Sequence, residues 1–205
     1  MTPSKNDEAI RSYESSAEAY ARQIDPHPPA EREAALRRLA AAVQPGAAVL
    51  EVGSGTGRDA DFLETLGLKV RRTDATRAFL ELQMQRGKRA ELLNILTDDF
   101  GGPCDAVLAL CVLLHVERDL TDRVLHKVAG ALRPGGAFLV SVRDETGAAG
   151  DRRNLTFWDR AGFAARLEAA GLRVDWDDRH TDEDGDTWLT FLAGKTGDGP
   201  RPLDF

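Results

Sequence analysis

The chain has 205 residues, 42% of them hydrophobic and 30% charged, with a net charge of −7. That is a soluble, globular balance of one ordinary domain with one core, and it argues against broad, non-specific nucleic-acid binding. The two cysteines, Cys104 and Cys111, form neither a CxxC pair nor a zinc set, and no stretch reaches the ~18 apolar residues of a membrane span, so a reduced, cytoplasmic protein is expected.

Taken in chain order, residues 1 to about 10 are polar, and the N-terminus lacks the apolar stretch of a signal peptide. The spacing predicts a helix from Ile10 to Ala21, with Tyr13, Ala17 and Tyr20 roughly on one face, broken by Asp25-Pro26-His27-Pro28-Pro29. A second helix, Ala30 to Val43, carries Leu36, Leu39, Ala40 and Val43 at helical spacing, and Pro45-Gly46 closes it. The first strand begins at Ala48. Strands and helices then alternate: a helix from Arg58 to Leu66, a strand from Leu68 to Thr73, a helix from Thr76 to Arg86 and a short strand from Ala90 to Leu93. A turn at Gly101-Gly102-Pro103 leads into a buried strand, Asp105 to Cys111. Leu120, Val124, Leu125, Val128 and Leu132 mark the next helix, Arg133-Pro134-Gly135-Gly136 a turn, and Ala137 to Val142 the fifth strand.

Arg143 to Leu155 reads as a polar loop, and Thr156-Phe157-Trp158-Asp159 as a capping box opening a helix to Ala170. Leu172, Val174 and Trp176 alternate as in a half-buried strand, Thr181 to Asp186 is an acidic turn, Thr187 to Ala193 is the last strand, and residues 196–205 form a frayed tail. The β-α alternation predicts an α/β fold with a Rossmann-like, seven-stranded, mostly parallel sheet, helices on both faces and the last strand antiparallel. A single domain is expected: an N-terminal helical lid over 1–43, a cofactor-binding core over 46–195, and the tail.

The segment Glu51-Val52-Gly53-Ser54-Gly55-Thr56-Gly57 carries the most information. An apolar strand ends in an acid and runs into alternating glycines, the turn at which an open α/β sheet holds a nucleoside ligand. A dinucleotide site wants G-x-G-x-x-G; here Arg58 stands where that third glycine would fall, and Glu51 suits a cationic amine better than a pyrophosphate.

The segment resembles motif I of the class I S-adenosylmethionine-dependent methyltransferases. Further segments are similar in order: Val70 to Thr76 at the end of the second strand, Leu92 to Ile95 after the third, Asp105 to His115 along the fourth, Leu132 to Val140 with its L-x-P-G-G turn, and Asp186 to Leu189 in the last strand. The likeness covers about residues 10 to 195. It implies S-adenosyl-L-methionine as cofactor, held by Tyr20, Glu51, Gly53, Ser54, Gly55, Thr56, Gly57, Asp74, Ala75, Asn94, Ile95 and Leu110. Asp74 would take the ribose hydroxyls, and Asn94, where the family often has aspartate, would accept from the adenine amino group.

His115, after the fourth strand, is a candidate general base, with loop stabilisation as the competing role, and Tyr13 either joins it or packs. Arg143, Asn154, Phe157 and Trp158 are candidates to line an acceptor pocket. Pro103-Cys104 precedes the fourth strand instead of following it, which separates it from a cytosine-methylating nucleophile. The acidic turn near Asp182 lacks the closing glutamate of a calcium loop, so no metal is expected. The function expected is methyl transfer to a small-molecule acceptor, with no nucleic-acid or membrane partner and the oligomeric state open. The alternatives are a protein that binds S-adenosylmethionine without transferring methyl and an NAD(P)-dependent oxidoreductase.

Overall fold

The computed structural model describes residues 4–146 and 154–197. In chain order they form α1 (Lys5–Gln23), α2 (Ala30–Ala41), β1 (Ala48–Val52), α3 (Arg58–Thr65), β2 (Lys69–Asp74), α4 (Arg77–Gln85), β3 (Ala90–Leu92) and β4 (Cys104–Ala109). A 3₁₀ turn at Leu113–His115 follows, then α5 (Thr121–Ala131), β5 (Leu132–Asp144), β6 (Phe157–Trp158), α6 (Arg160–Ala169), β7 (Leu172–Thr181) and β8 (Thr187–Lys195). One sheet runs in the order β3-β2-β1-β4-β5-β8-β7, with the two-residue β6 paired to β5. The expected α/β class and parallel sheet are present, and β8 runs antiparallel to both β5 and β7.

Alternate residues of the central strands feed two core layers, as a sheet covered on both faces requires. Leu50, Val107, Phe138 and Phe191 meet Val124, Leu125, Phe163 and Leu167 of α5 and α6. Val49, Leu108, Leu139 and Leu192 meet Leu36, Leu39, Phe62 and Leu63 of α2 and α3.

Three elements differ from the sequence-based expectation. Helix α1 starts at Lys5 rather than Ile10, because Ser4 and Asp7 form a reciprocal capping box. The capping box expected at Thr156 is absent. Phe157-Trp158 instead joins β5 as a strand, which sinks the Trp158 ring into the core, and Asp159 caps α6 by accepting from the Gly162 amide at 2.7 Å. The turn expected at Arg133-Pro134-Gly135-Gly136 keeps a left-handed Gly135 (φ +75), but Leu132 already pairs with Cys104, so β5 begins there.

Helix α1 lies across the carboxyl ends of the strands and is tied down along its length. Lys5 reaches Leu155 O (2.8 Å) and Thr156 Oγ1 (3.2 Å), and Asn6 donates to Asn94 Oδ1 at 3.1 Å. Glu14 accepts from the Arg77 and Ala78 amides at 2.8 and 3.0 Å, capping α4, whose own Thr76 makes no side-chain cap. Among the described residues no helix is long and apolar enough to cross a membrane. The tail expected at 196–205 lies outside the described residues beyond 197, as does the middle of the polar loop, 147–153.

Candidate functional site

A cleft opens where β1, β2 and β4 end, roofed by α1. Its floor is the turn from β1 into α3. Gly53 (φ +72) must be glycine, since a Cβ there would meet Val112 Cγ2 at 2.4 Å. Gly55 (φ +54) is different: a Cβ on it would meet nothing within 4 Å and would project into open space, which leaves its backbone bare to a ligand.

The turn is braced from below. The Ser54 amide donates to Thr73 O at 2.8 Å, and the Gly57 amide to Ser54 O at 2.8 Å. Gln83 of α4, fully buried, donates to Gly55 O (2.9 Å) and Ser54 Oγ (3.2 Å). Arg72, also buried, is held by Asp61 (2.8 Å) and Glu64 (2.7 Å).

Asp74, at the end of β2, lines the cleft. It accepts from the Gly55 amide through Oδ2 and the Thr76 amide through Oδ1, each at 2.8 Å. Burial raises its carboxyl above the usual range, while the amides pull it down. Each oxygen keeps a lone pair for a further donor.

Tyr13 and Tyr20 of α1 form an aromatic cluster with Phe79 of α4, their ring centroids 5.5–5.8 Å apart, and the His115 ring stands 5.9 Å from Tyr13. Burial pushes the Tyr13 hydroxyl up to about 12 and the His115 imidazole down to about 4, so both are neutral near pH 7.

Of the expected cofactor residues, Tyr20, Gly53, Ser54, Gly55, Thr56, Asp74, Ala75, Ile95 and Leu110 line this cleft, as do Tyr13 and His115. Glu51, Gly57 and Asn94 do not. Glu51 is buried behind the glycine turn, where its Oε2 accepts from Ser54 Oγ at 2.5 Å. Burial, then the nearby Asp59, pushes its pKa up to about 8, so the carboxyl is mostly protonated at pH 7 and carries little of the charge expected of it. Gly57 is packed under Gln83 and Arg72. The Asn94 carbonyl is turned away, accepting from Asn6 Nδ2 and, at 2.9 Å, from the Leu96 amide; its neighbour Leu93 takes the place on the wall.

The four acceptor candidates do not converge on the cleft. Arg143 is buried on β5, paired with Asp186 and stacked 4.9 Å from the Trp188 ring centre. Trp158 packs on Phe163 and beneath Arg118. Phe157 sits on β6, at the rim of another hollow, and Asn154 is exposed. The polar loop was read as irregular chain from Arg143, whereas strand pairing takes up its first two residues, Arg143 and Asp144, against Phe157 and Trp158.

Sequence reasoning also missed lining residues. Phe79 stands on a helix read only for its bounds, and Arg32 on one read for its apolar stripe. Arg32 donates to Asp59 Oδ2 at 3.1 Å and to Cys111 Sγ at 2.7 Å. Cys111 holds the only positive φ (+58) of a non-glycine among the described residues, with its amide bound to Ser141 Oγ at 2.9 Å. Pairing across helix, loop and strand left no local spacing by which these could have been found.

Residues 50–138 match a family model described as a methyltransferase domain. Over 113 residues, 51% of the chain, the sequence is 32% identical to a ubiquinone biosynthesis O-methyltransferase of Xanthomonas campestris pv. campestris, and the match spans about half (46%) of that relative's length. Among solved structures, 1,6-didemethyltoxoflavin-N1-methyltransferase of Burkholderia thailandensis, with bound 1,6-didemethyltoxoflavin and S-adenosylhomocysteine, is 24% identical at a TM-score of 0.71, covering 96% of this chain and 92% of that one. The [4+2]-cyclase SpnF is 14% identical at a TM-score of 0.74, covering 96% and 97%. These likenesses establish the class I methyltransferase fold.

Proposed function

We propose that this chain, which carries a methyltransferase domain of the class I type, transfers a methyl group from S-adenosylmethionine to a small-molecule acceptor. The observation that carries the reading is the cradle at Gly55: a bare left-handed backbone whose amide is anchored by Asp74, facing open space beneath an aromatic roof. When bound, S-adenosylmethionine supplies an electrophilic methyl on a sulfonium.

The residues fit that group. Asp74 accepts the ribose hydroxyls with the lone pairs its amide bonds leave over. Leu93 and Ile95 flank the base, and Tyr13, Tyr20 and Phe79 shut water out. Arg32, a cation on the wall, meets the carboxylate of the amino-acid end; this role falls to a residue that the motif does not contain. The protonated Glu51 acts through Ser54, holding the turn in shape.

His115 and Tyr13 serve as walls and hydrogen-bonding groups. An imidazole whose pKa is about 4 is a weak base at neutral pH, and a phenol at about 12 keeps its proton. Catalysis then rests on holding donor and acceptor in line and excluding water. We take residues 1–43 as the lid of a single-domain cytoplasmic enzyme, and the acceptor as a small molecule rather than a nucleic acid, from the net charge of −7. The likeness to a cyclase keeps a second reading in play, that the cofactor is bound without methyl transfer.

The test is calorimetric titration with adenosylhomocysteine and with NAD. The reading expects the first to bind and the second not to; tight NAD binding alone would sink it. Release of adenosylhomocysteine from S-adenosylmethionine in the presence of acceptors separates transfer from binding.

A further inference from the structure

With the ribose on Asp74, at the end of β2, the base of the methyl donor reaches the next strand outward, β3, after which Leu93 and Ile95 stand on the cleft wall. The side chain between them, Asn94, is the one expected to read the base, and it is turned away. Over this end of the cleft lies the first turn of α1. There Asn6 lines the cleft and is only 7% exposed; Ala17 is the one other buried residue of that helix.

The orientation of the Asn6 amide follows from its neighbours. A backbone N–H can only donate, so the atom that the Leu96 amide meets at 2.9 Å is the Asn94 oxygen. The Asn6 atom that faces the same oxygen at 3.1 Å is therefore nitrogen. Turning the Asn6 amide over would set oxygen against oxygen. Its Oδ1 is thus fixed at the other end, and no described residue donates to it. Ala9 and Ile10 on α1, and Leu93 and Ile95 beside Asn94, bring only apolar side chains to the wall. A carbonyl sunk this deep is costly without a donor, and both of its lone pairs are open to one.

We infer that Asn6 is the specificity-determining residue for the base, its carbonyl accepting a hydrogen bond from the exocyclic amino group of adenine. Asn94 acts through it, as the positioning residue that keeps the amide from turning over. This rests on the reading of the cleft as the methyl donor's site. Because Asn6 belongs to the roof, the base is tested by the element that closes over it. A base with a carbonyl in place of the amino group sets acceptor against acceptor and leaves the Asn6 oxygen unpaired.

The experiment titrates S-adenosylhomocysteine and S-inosylhomocysteine, in which a carbonyl replaces the amino group, into the protein by calorimetry. The adenine ligand is expected to bind at least about tenfold more tightly, since a site built around a hydrogen bond rejects an analogue that leaves its buried group unpaired. Asn6→Leu and Asn6→Ala each remove the carbonyl, and each should cut that ratio by about fivefold or more. A roof that is merely loosened would weaken both ligands alike and leave the ratio unchanged. Equal binding of the two ligands by the unaltered protein overturns the inference, and so does a ratio that the Asn6 variants leave intact. A ratio lost in Asn94→Ala but kept in the Asn6 variants would return the base to Asn94 and overturn it as well. Failure of both ligands to bind overturns the donor reading and this inference with it, whereas binding without discrimination leaves the donor reading standing.

Discussion

The donor cleft and the cavity beside it are built by different means. The cleft has a floor of main chain, the glycine turn whose Gly55 amide is held by the Asp74 carboxylate, under a roof of rings. The cavity is made of side chains from four distant stretches, at residues 29–35, 110–111, 141 and 180–190. A floor made of backbone tolerates few sequences and so leaves a motif. A pocket made of side chains can change its lining without disturbing the sheet. Within one fold the first region is therefore held to one form, while the lining of the second is free to vary.

The largest effect should come from blocking the backbone itself. Gly55→Val puts a β-branched side chain at φ +54 and fills the cradle, so calorimetry should show adenosylhomocysteine binding reduced beyond detection, with circular dichroism close to wild type. Retained affinity would break the contrast, because the cleft would then not depend on its bare main chain.

Asp74→Ala should weaken adenosylhomocysteine by about 10- to 150-fold, the worth of hydrogen bonds to a charged group of about 1.5–3 kcal/mol. Unchanged affinity would take Asp74 out of the ligand's contacts and break the contrast from the side-chain end.

Glu51→Gln should change adenosylhomocysteine affinity by less than about threefold, because a carboxyl that is largely protonated and lies off the cleft surface contributes little attraction. Its signature is in stability. The wild-type carboxyl has a folded pKa of about 8 against an ordinary 4.5. Between those values the unfolded chain ionises and the folded one does not, so wild-type stability falls as pH rises through that window. The variant lacks this loss, and thermal unfolding should show its advantage growing from pH 5 to pH 8. A constant difference would mean that Glu51 is ionised in the fold.

What could be read from the chain alone follows the same division. The sheet, its helices and the glycine turn were legible because periodicity and positive-φ positions are local properties of sequence. Glu51 was read as a charge because sequence displays an acid but not its burial, and Asn94 because its Asn6 partner lies on another element. Phe157-Trp158 was read as part of a cap because pairing with β5 is a non-local event, and the same non-locality hid Arg32 and Cys111.

Helix α1 has one further consequence. Its Glu14 carboxylate serves as the cap of α4, a helix that makes no side-chain cap of its own. Lifting the roof to admit a ligand therefore uncovers two amides on a different helix. Hydrogen–deuterium exchange at Arg77 and Ala78 thus becomes a clock for the opening of α1, and it would slow when a ligand beneath the roof holds the helix down.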